Sequence, residues 1–158
     1  MALAIYPGTF DPLTLGHLDI AERALRIFDE LEITVAVHAD KKAFLSASTR
    51  ADLIRQSTAH LTSVNVTIFE GLIAKYAQSR SAIALIRGLR SMNDFDYEHK
   101  MAYANRRLVP ALDTVFFPTA AAHALTSSSL VRDILRWGGD ISPFVPPPVA
   151  AALSRDYQ

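Results

Sequence analysis

A doubly wound α/β fold around a five-stranded parallel sheet is predicted by three observations. Strand-length apolar runs alternate with helical patterns along the whole chain, several of these runs are apolar without interruption, and a polar cluster follows most of them. The 158 residues suit one domain, 1–158, with a sizeable core, and a hydrophobic content of 50% argues against disorder. Sixteen basic and sixteen acidic residues cancel, which excludes binding to nucleic acid or an anionic membrane by bulk charge. Without cysteine, neither disulfides nor a cysteine-built zinc site can form. Met1 leads directly into the first strand and no apolar run approaches the ~20 residues of a membrane span, so a cytoplasmic protein is expected.

Leu3 to Tyr6 forms the first strand, ended by Pro7-Gly8, with the Thr9 hydroxyl beyond its carboxyl end. Ile20, Ala21, Ala24, Leu25 and Phe28 recur on one face of the following helix, with Thr14 or Gly16 near its N-cap. A helix starting so soon after a strand presents bare N–H groups and the positive end of its dipole to an anion, and His17 adds a side-chain donor. Thr14 as a simple cap accounts for the same residues.

Ile33 to Val37 is the second strand, leading to Lys41-Lys42, which by themselves read as a solvated surface pair. A helix starting near Ser48 or Thr49 carries Leu53, Ile54 and Leu61 on one side. Val64 to Phe69 is the third strand, and Leu72 to Ser79 a short helix. Ala82 to Ile86 is the fourth strand, continuously apolar, and runs into Arg87-Gly88-Leu89-Arg90. Gly88 would let the chain turn so that both guanidiniums fork onto phosphate oxygens, with salt bridges at the sheet edge as the alternative. The helix Asn93 to Leu108 is expected to be capped by Asn93, with Tyr97, Met101 and Leu108 as core candidates and Glu98 solvated. Thr114 to Phe117 is the fifth strand; Thr126 to Ser129 then opens a helix bearing Leu130, Val131, Ile134 and Leu135. One hydroxyl serves as its cap, and the other three exceed what a cap requires. Gly138-Gly139 ends this helix, and Pro146 to Pro148 starts a short final one.

In this topology Thr9, Lys41, Arg87 and the Ser127 segment all lie beyond strand carboxyl ends, the edge where open α/β sheets bind ligands. Four polar clusters on one edge predict a site for an anionic ligand with several phosphates.

Tyr6-Pro-Gly-Thr-Phe-Asp-Pro12, Thr14-Leu-Gly-His17, Lys41-Lys42, Arg87-Gly-Leu-Arg90 and Ser127-Ser-Ser129 together resemble the phosphopantetheine adenylyltransferases of bacterial coenzyme A biosynthesis, in order and over nearly the whole chain. Thr14-Leu-Gly-His17 is similar to the His-Xaa-Gly-His motif of the wider nucleotidylyltransferase superfamily. The resemblance implies a Rossmann-like homohexamer that transfers AMP from ATP to 4′-phosphopantetheine, giving dephospho-coenzyme A and pyrophosphate. It also implies Mg²⁺ carried by ATP, and coenzyme A as a feedback ligand. Thr9, Lys41, Ile73 and Arg87 would contact phosphopantetheine. Thr9, Phe10, His17, Gly88, Leu89, Arg90, Glu98 and the segment His123, Ala124, Leu125, Thr126, Ser127, Ser128 and Ser129 would line the ATP site. His17, Lys41 and Arg90 would be catalytic, His17 as transition-state stabiliser. The chain departs from the family at Ser48-Thr49, where an acidic pair is frequent, and at His123, where tryptophan is frequent. A nucleotidylyltransferase acting on nicotinamide mononucleotide or using CTP is the nearest alternative. A non-catalytic nucleotide-binding regulator would have little reason to retain His17, Lys41 and Arg90 together.

Overall fold

Runs of apolar residues too short for helices pair here as parallel strands, each returned to the sheet by a helix. The computed structural model describes residues 1–38 and 42–155. Its strands are β1 (Leu3–Gly8), β2 (Glu30–Val37), β3 (Val64–Glu70), β4 (Ala84–Leu89) and β5 (Asp113–Pro118), hydrogen-bonded in the order β3-β2-β1-β4-β5. All pairings are parallel. The strand order reverses between β1 and β4, so the crevice of this Rossmann-like sheet opens where Gly8 and Leu89 end their strands.

Among the described residues the α-helices are α1 (Leu15–Ala24), α2 (Ala47–Ser57), α3 (Ile73–Ser79), α4 (Met92–Leu108), α5 (Ser128–Arg136) and α6 (Pro147–Arg155). Alternation along β1 divides the core. Ala4 and Tyr6 face a large cluster with Ile20 of α1, Ile54 of α2, Val131 of α5 and Val149 of α6. Ile5 points the other way, into a smaller cluster with Leu85, Ala74 of α3, and Val109 and Leu112 just after α4. The smaller side also buries Glu32, which accepts hydrogen bonds from Thr67 (3.0 Å), Tyr76 (2.5 Å) and Arg80 (3.1 Å). Three donors satisfy a carboxylate that burial alone would make costly. No helix among the described residues is long and apolar enough to cross a membrane.

Several element ends differ from the sequence expectation. The cap of α2 is Ser46, whose hydroxyl accepts the Thr49 N–H, so the helix begins before Ser48 and Leu61 lies beyond its end. Ser91, rather than Asn93, caps α4 by accepting the Asp94 N–H. α3 starts at Ile73, one residue after Leu72. Strand β4 starts and ends later than Ala82 to Ile86, because Arg87, Gly88 and Leu89 remain paired with Phe116, Phe117 and Pro118 of β5. Gly88 is therefore not a turn. Its lack of a side chain instead admits α1, since a Cβ there would lie 2.5 Å from Cδ1 of Ile20.

The expected core face of α4 is also corrected. Tyr97 is 62% exposed, and Met101 and Leu108 are exposed too. The buried residues of α4 are Glu98 and Asn105, seven positions apart and hence on one stripe, so the helix turns a polar line toward the sheet. Glu98, Met101, Ala102 and Asn105 on this stripe line a cavity beneath the helix.

Candidate active site

The turn between β1 and α1 is shaped by ring packing. A Cβ on Gly8 would stand 2.9 Å from the Phe10 ring, so only glycine leaves room for that ring. Phe10 itself adopts φ +48, a conformation that costs a non-glycine residue roughly 1–3 kcal/mol and persists only where its surroundings fix it. Those surroundings include Tyr6 and His17, each packed edge-on against Phe10 with centroids 5.3 and 5.1 Å away.

Thr14 caps α1, and His17 closes the cap reciprocally. The Thr14 hydroxyl accepts the His17 N–H at 3.4 Å, while the Thr14 backbone N–H donates to Nδ1 of His17 at 3.1 Å. A ring nitrogen that accepts a backbone N–H carries no proton, so in the neutral ring the proton is on Nε2. Burial lowers the His17 pKa to about 4, helped by the positive charges of Arg90 and Arg87. At pH 7 His17 is thus a neutral imidazole with a single donor, Nε2–H.

Across the crevice, Arg87 lies within the second half of β4 rather than beyond its carboxyl end. It is held by Glu98 of α4 in a two-pronged ion pair, Nε at 2.8 Å and Nη2 at 2.6 Å, while Nη1 donates to the Pro7 carbonyl at 2.7 Å. Burial works against the Arg87 charge, but Glu98 outweighs it and holds the pKa above the ordinary arginine value. Glu98 is 8% exposed, which overturns its expected solvated state. Arg90 is half-exposed, with Nε 3.7 Å from Asp94, and both side chains line the crevice.

The third wall is the start of α5. Ser127 is the cap, accepting the Leu130 N–H at 3.1 Å. The Ser128 hydroxyl donates to the Pro12 carbonyl at 2.8 Å, and Ser129 accepts from Arg132 Nη2 at 3.2 Å. The serines beyond the cap therefore tie α5 to the first turn and hold a guanidinium, in addition to lining the crevice. Helix amides and Arg132 supply the cationic character.

Together these walls enclose a cavity of about 350 Å³, lined by Thr9, Phe10, His17, Arg87, Gly88, Arg90, Glu98, Thr126, Ser127, Ser128 and Ser129 among the predicted residues. A neighbouring cavity of about 380 Å³ shares Thr9, Arg87 and Glu98 with the first and continues under α4 past Ile73, Leu72, Phe69, Leu85, Met101 and Asn105. Ile73 thus lines the same cavity as Thr9 and Arg87. Leu89, His123, Ala124 and Leu125 do not line either cavity; Leu125 is 90% exposed, and His123 packs over Gly16. Lys41 lies outside the described residues. Arg132 was not among the predicted residues, although its place one turn after Ser128 and Ser129 marks it.

The described residues contain no group of three or more His, Cys, Asp or Glu side chains that could hold a metal ion.

The cytidylyltransferase-like family matches residues 5–134. A phosphopantetheine adenylyltransferase of Herpetosiphon aurantiacus is 47% identical over 158 residues, covering 100% of this chain and 96% of that protein. One of Heliobacterium modesticaldum is 41% identical over 157 residues, covering 99% and 94%. Among solved structures, a protein of Vibrio parahaemolyticus assigned as a nicotinate-nucleotide adenylyltransferase superposes with a TM-score of 0.72 at 19% identity, covering 99% of this chain and 93% of that one, a likeness of fold. The conserved fold, the crevice at the strand-order reversal and full-length identity above 40% converge: the chain belongs to the phosphopantetheine adenylyltransferases, within the cytidylyltransferase-like family.

Proposed function

We propose that the protein transfers the adenylyl group of ATP to the phosphate of 4′-phosphopantetheine, giving dephospho-coenzyme A and pyrophosphate in coenzyme A biosynthesis. The observation that carries this reading is the meeting of two unlike cavities, one polar and one largely apolar, at Thr9, Arg87 and Glu98. A nucleotide triphosphate suits the first, and a phosphate on a long, uncharged arm suits the second.

In the reaction an acceptor phosphate oxygen bonds to the α-phosphorus of ATP as the bond from that phosphorus to the bridging oxygen breaks, and pyrophosphate leaves with that oxygen. The acceptor phosphate has a second pKa of about 6, so at pH 7 it is largely a dianion and needs no general base. Catalysis then consists of aligning two anions and offsetting charge in the transition state. Nε2–H of His17 is the donor for the α-phosphate, a role that its neutral state and fixed tautomer support. Arg90, Arg132 and the α5 amides hold the β and γ phosphates. Arg87 holds the acceptor phosphate with its remaining N–H groups, and Lys41 is its partner cation in this reading. Glu98 orients Arg87 rather than touching ATP first.

With no carboxylate cluster among the described residues to hold a metal, Mg²⁺ would be carried by ATP and would supply charge shielding to the triphosphate, beside Arg90 and Arg132. Exposed apolar residues on α4, among them Met92, Tyr97 and Tyr103, support assembly into a homohexamer. Coenzyme A, which carries both an adenylate and the pantetheine arm, would compete for both cavities and so act as a feedback ligand. A cytoplasmic location accords with these soluble substrates.

Incubation with ATP, Mg²⁺ and 4′-phosphopantetheine, followed by mass detection, is expected to yield dephospho-coenzyme A. Pyrophosphate release only with nicotinamide mononucleotide, or only with CTP, would favour another transferase of the superfamily. ATP binding without turnover of any acceptor would favour a regulator.

A further inference from the structure

Two buried charges beside the cleft take no part in the transfer described above. Asp11 is 8% exposed and Arg50 is 4% exposed. The Asp11 carboxylate accepts the N–H groups of Phe44 (2.7 Å) and Leu45 (2.8 Å). Arg50 donates from Nε to the Leu45 carbonyl (3.1 Å), and from Nη1 to the carbonyls of Thr9 (2.8 Å) and Ala36 (3.3 Å). Leu45 is therefore gripped at both its backbone groups, its N–H by Asp11 and its C=O by Arg50.

The β1–β2 pairing already sets the Thr9 turn beside the end of β2, with Gly8 opposite Val35, and these bonds tie a third piece of chain to both, the segment leading into α2. The Asp11 carbonyl extends the connection, since it accepts Nη1 of Arg132 on α5. A continuous line thus runs from the α5 wall, through the backbone of residue 11, to Leu45 and Arg50. Among the described residues Arg50 forms no ion pair, and the partners that replace its hydration there are the carbonyls of Leu45, Thr9 and Ala36. A buried charge held this way is weak as a stabilising device, because apolar packing of similar volume would serve as well. It is strong as a positioning device, because each bond fixes a direction.

We infer that Asp11 and Arg50 are positioning residues that set the acceptor edge of the cleft, at Thr9, against the triphosphate edge, at α5. Neither needs to touch a substrate. The inference rests on the adenylyl-transfer reading for its assignment of the two edges. Displacing one reactant by about 1 Å can cost up to about 10²-fold in rate, so loosening this brace should act on alignment.

The test compares Asp11→Asn and Arg50→Lys with the wild-type protein. Asp11→Asn keeps the volume but turns a donor toward a donor, whereas Arg50→Lys keeps the charge and loses the fork. The expected result for Asp11→Asn is about a tenfold fall in kcat and a tenfold rise in the phosphopantetheine KM, with the dissociation constant of ATP within about twofold of wild type. Arg50→Lys should fall between. Equal weakening of both substrates, or unchanged kinetics with only a lower melting temperature, would overturn the proposal.

Amide hydrogen exchange on the wild-type protein covers the case in which a variant fails to fold. The amides of residues 44–45 and of the Thr9 turn should open with a common free energy, and independent opening counts against the brace. If the wild-type protein makes no dephospho-coenzyme A, the functional reading fails, and the exchange pattern still decides whether the brace exists.

Discussion

The cavity beside His17 is walled by backbone amides, hydroxyls and guanidiniums, whereas the cavity under α4 is walled chiefly by Phe69, Leu72, Ile73, Leu85 and Met101. In the first, the polar groups are supplied by helix starts, α1 and α5, whose unpaired N–H groups are a by-product of helix geometry. In the second, shape and desolvation must do the selecting, because few fixed donors are present. A site of the first kind recognises charge and is tolerant of what the charge is attached to; a site of the second kind discriminates the attached arm. Thr9, Arg87 and Glu98 belong to both, which makes the wall between them the place where a reaction between the two occupants can occur.

The comparison is most exposed to failure at His17. His17→Ala should lower kcat by about 10²-fold or more, the scale of losing one preorganised donor, with a much smaller change in either KM. Steady-state kinetics giving an unchanged kcat would remove His17 from the chemistry. Ile73→Asp should raise the phosphopantetheine KM by roughly tenfold, since a carboxylate would be desolvated against an apolar arm, and should leave the ATP KM within about twofold. An effect on ATP of the same size would mean that the two cavities do not divide the substrates.

Glu98→Gln tests the shared wall. It leaves the partly buried Arg87 charge without its counter-ion, and a loss of about 1–2 kcal/mol is expected after allowing for solvent at Arg87, read as a fall in melting temperature of about 2–8 °C. Acceptor KM should change with it, because Arg87 loses its orientation. A variant with wild-type melting and kinetics would show that the ion pair is incidental.

The pH response separates His17 from the acceptor. Because the folded pKa of His17 lies at about 4, below the ordinary 6.5, the unfolded chain binds more protons between these values. This group's contribution to stability is thus intact above pH 6.5 and is lost as pH falls toward about 4. Activity should decline on the acid side near pH 6 through protonation of the acceptor phosphate, and His17 should titrate by NMR only near pH 4. A His17 titration at 6.5 in the folded protein would contradict a buried neutral ring. The smallest effect is expected at Leu125: Leu125→Ala, on a 90% exposed side chain outside both cavities, should change kcat and stability little, by under about 0.5 kcal/mol. A large loss of ATP affinity would extend the polar cavity outward over the α5 wall.

The helix starts were legible because capping leaves local marks. Thr14, the Ser127 cluster and the apolar spacing after each identify α1 and α5 within a residue or two. The relation of Arg87 to Glu98 was not legible, although both residues were singled out, because eleven positions and a helix turn separate them and only the crossover from β4 to α4 brings them together. Periodicity misled on α4 for a related reason: it assigns apolar residues to a packed core, but here the inward face, Glu98, Met101 and Asn105, covers a cavity, so Met101 lines that cavity and stays partly exposed. Arg50 carried no mark of its role, since its partners are all backbone carbonyls of residues that are remote or unremarkable in sequence.

The sequence by itself determined the alternation of strands and helices, the edge on which the polar clusters collect and the donor at His17, because periodicity, capping and strand-to-helix turns are encoded within a few residues. Tertiary structure alone decided that Arg87 is held by Glu98, that His17 is neutral with its proton on Nε2, and that one cavity became two. Each of these depends on burial and on partners brought from distant strands, and neither the local dielectric nor a contact across the sheet is a property of any short stretch of chain.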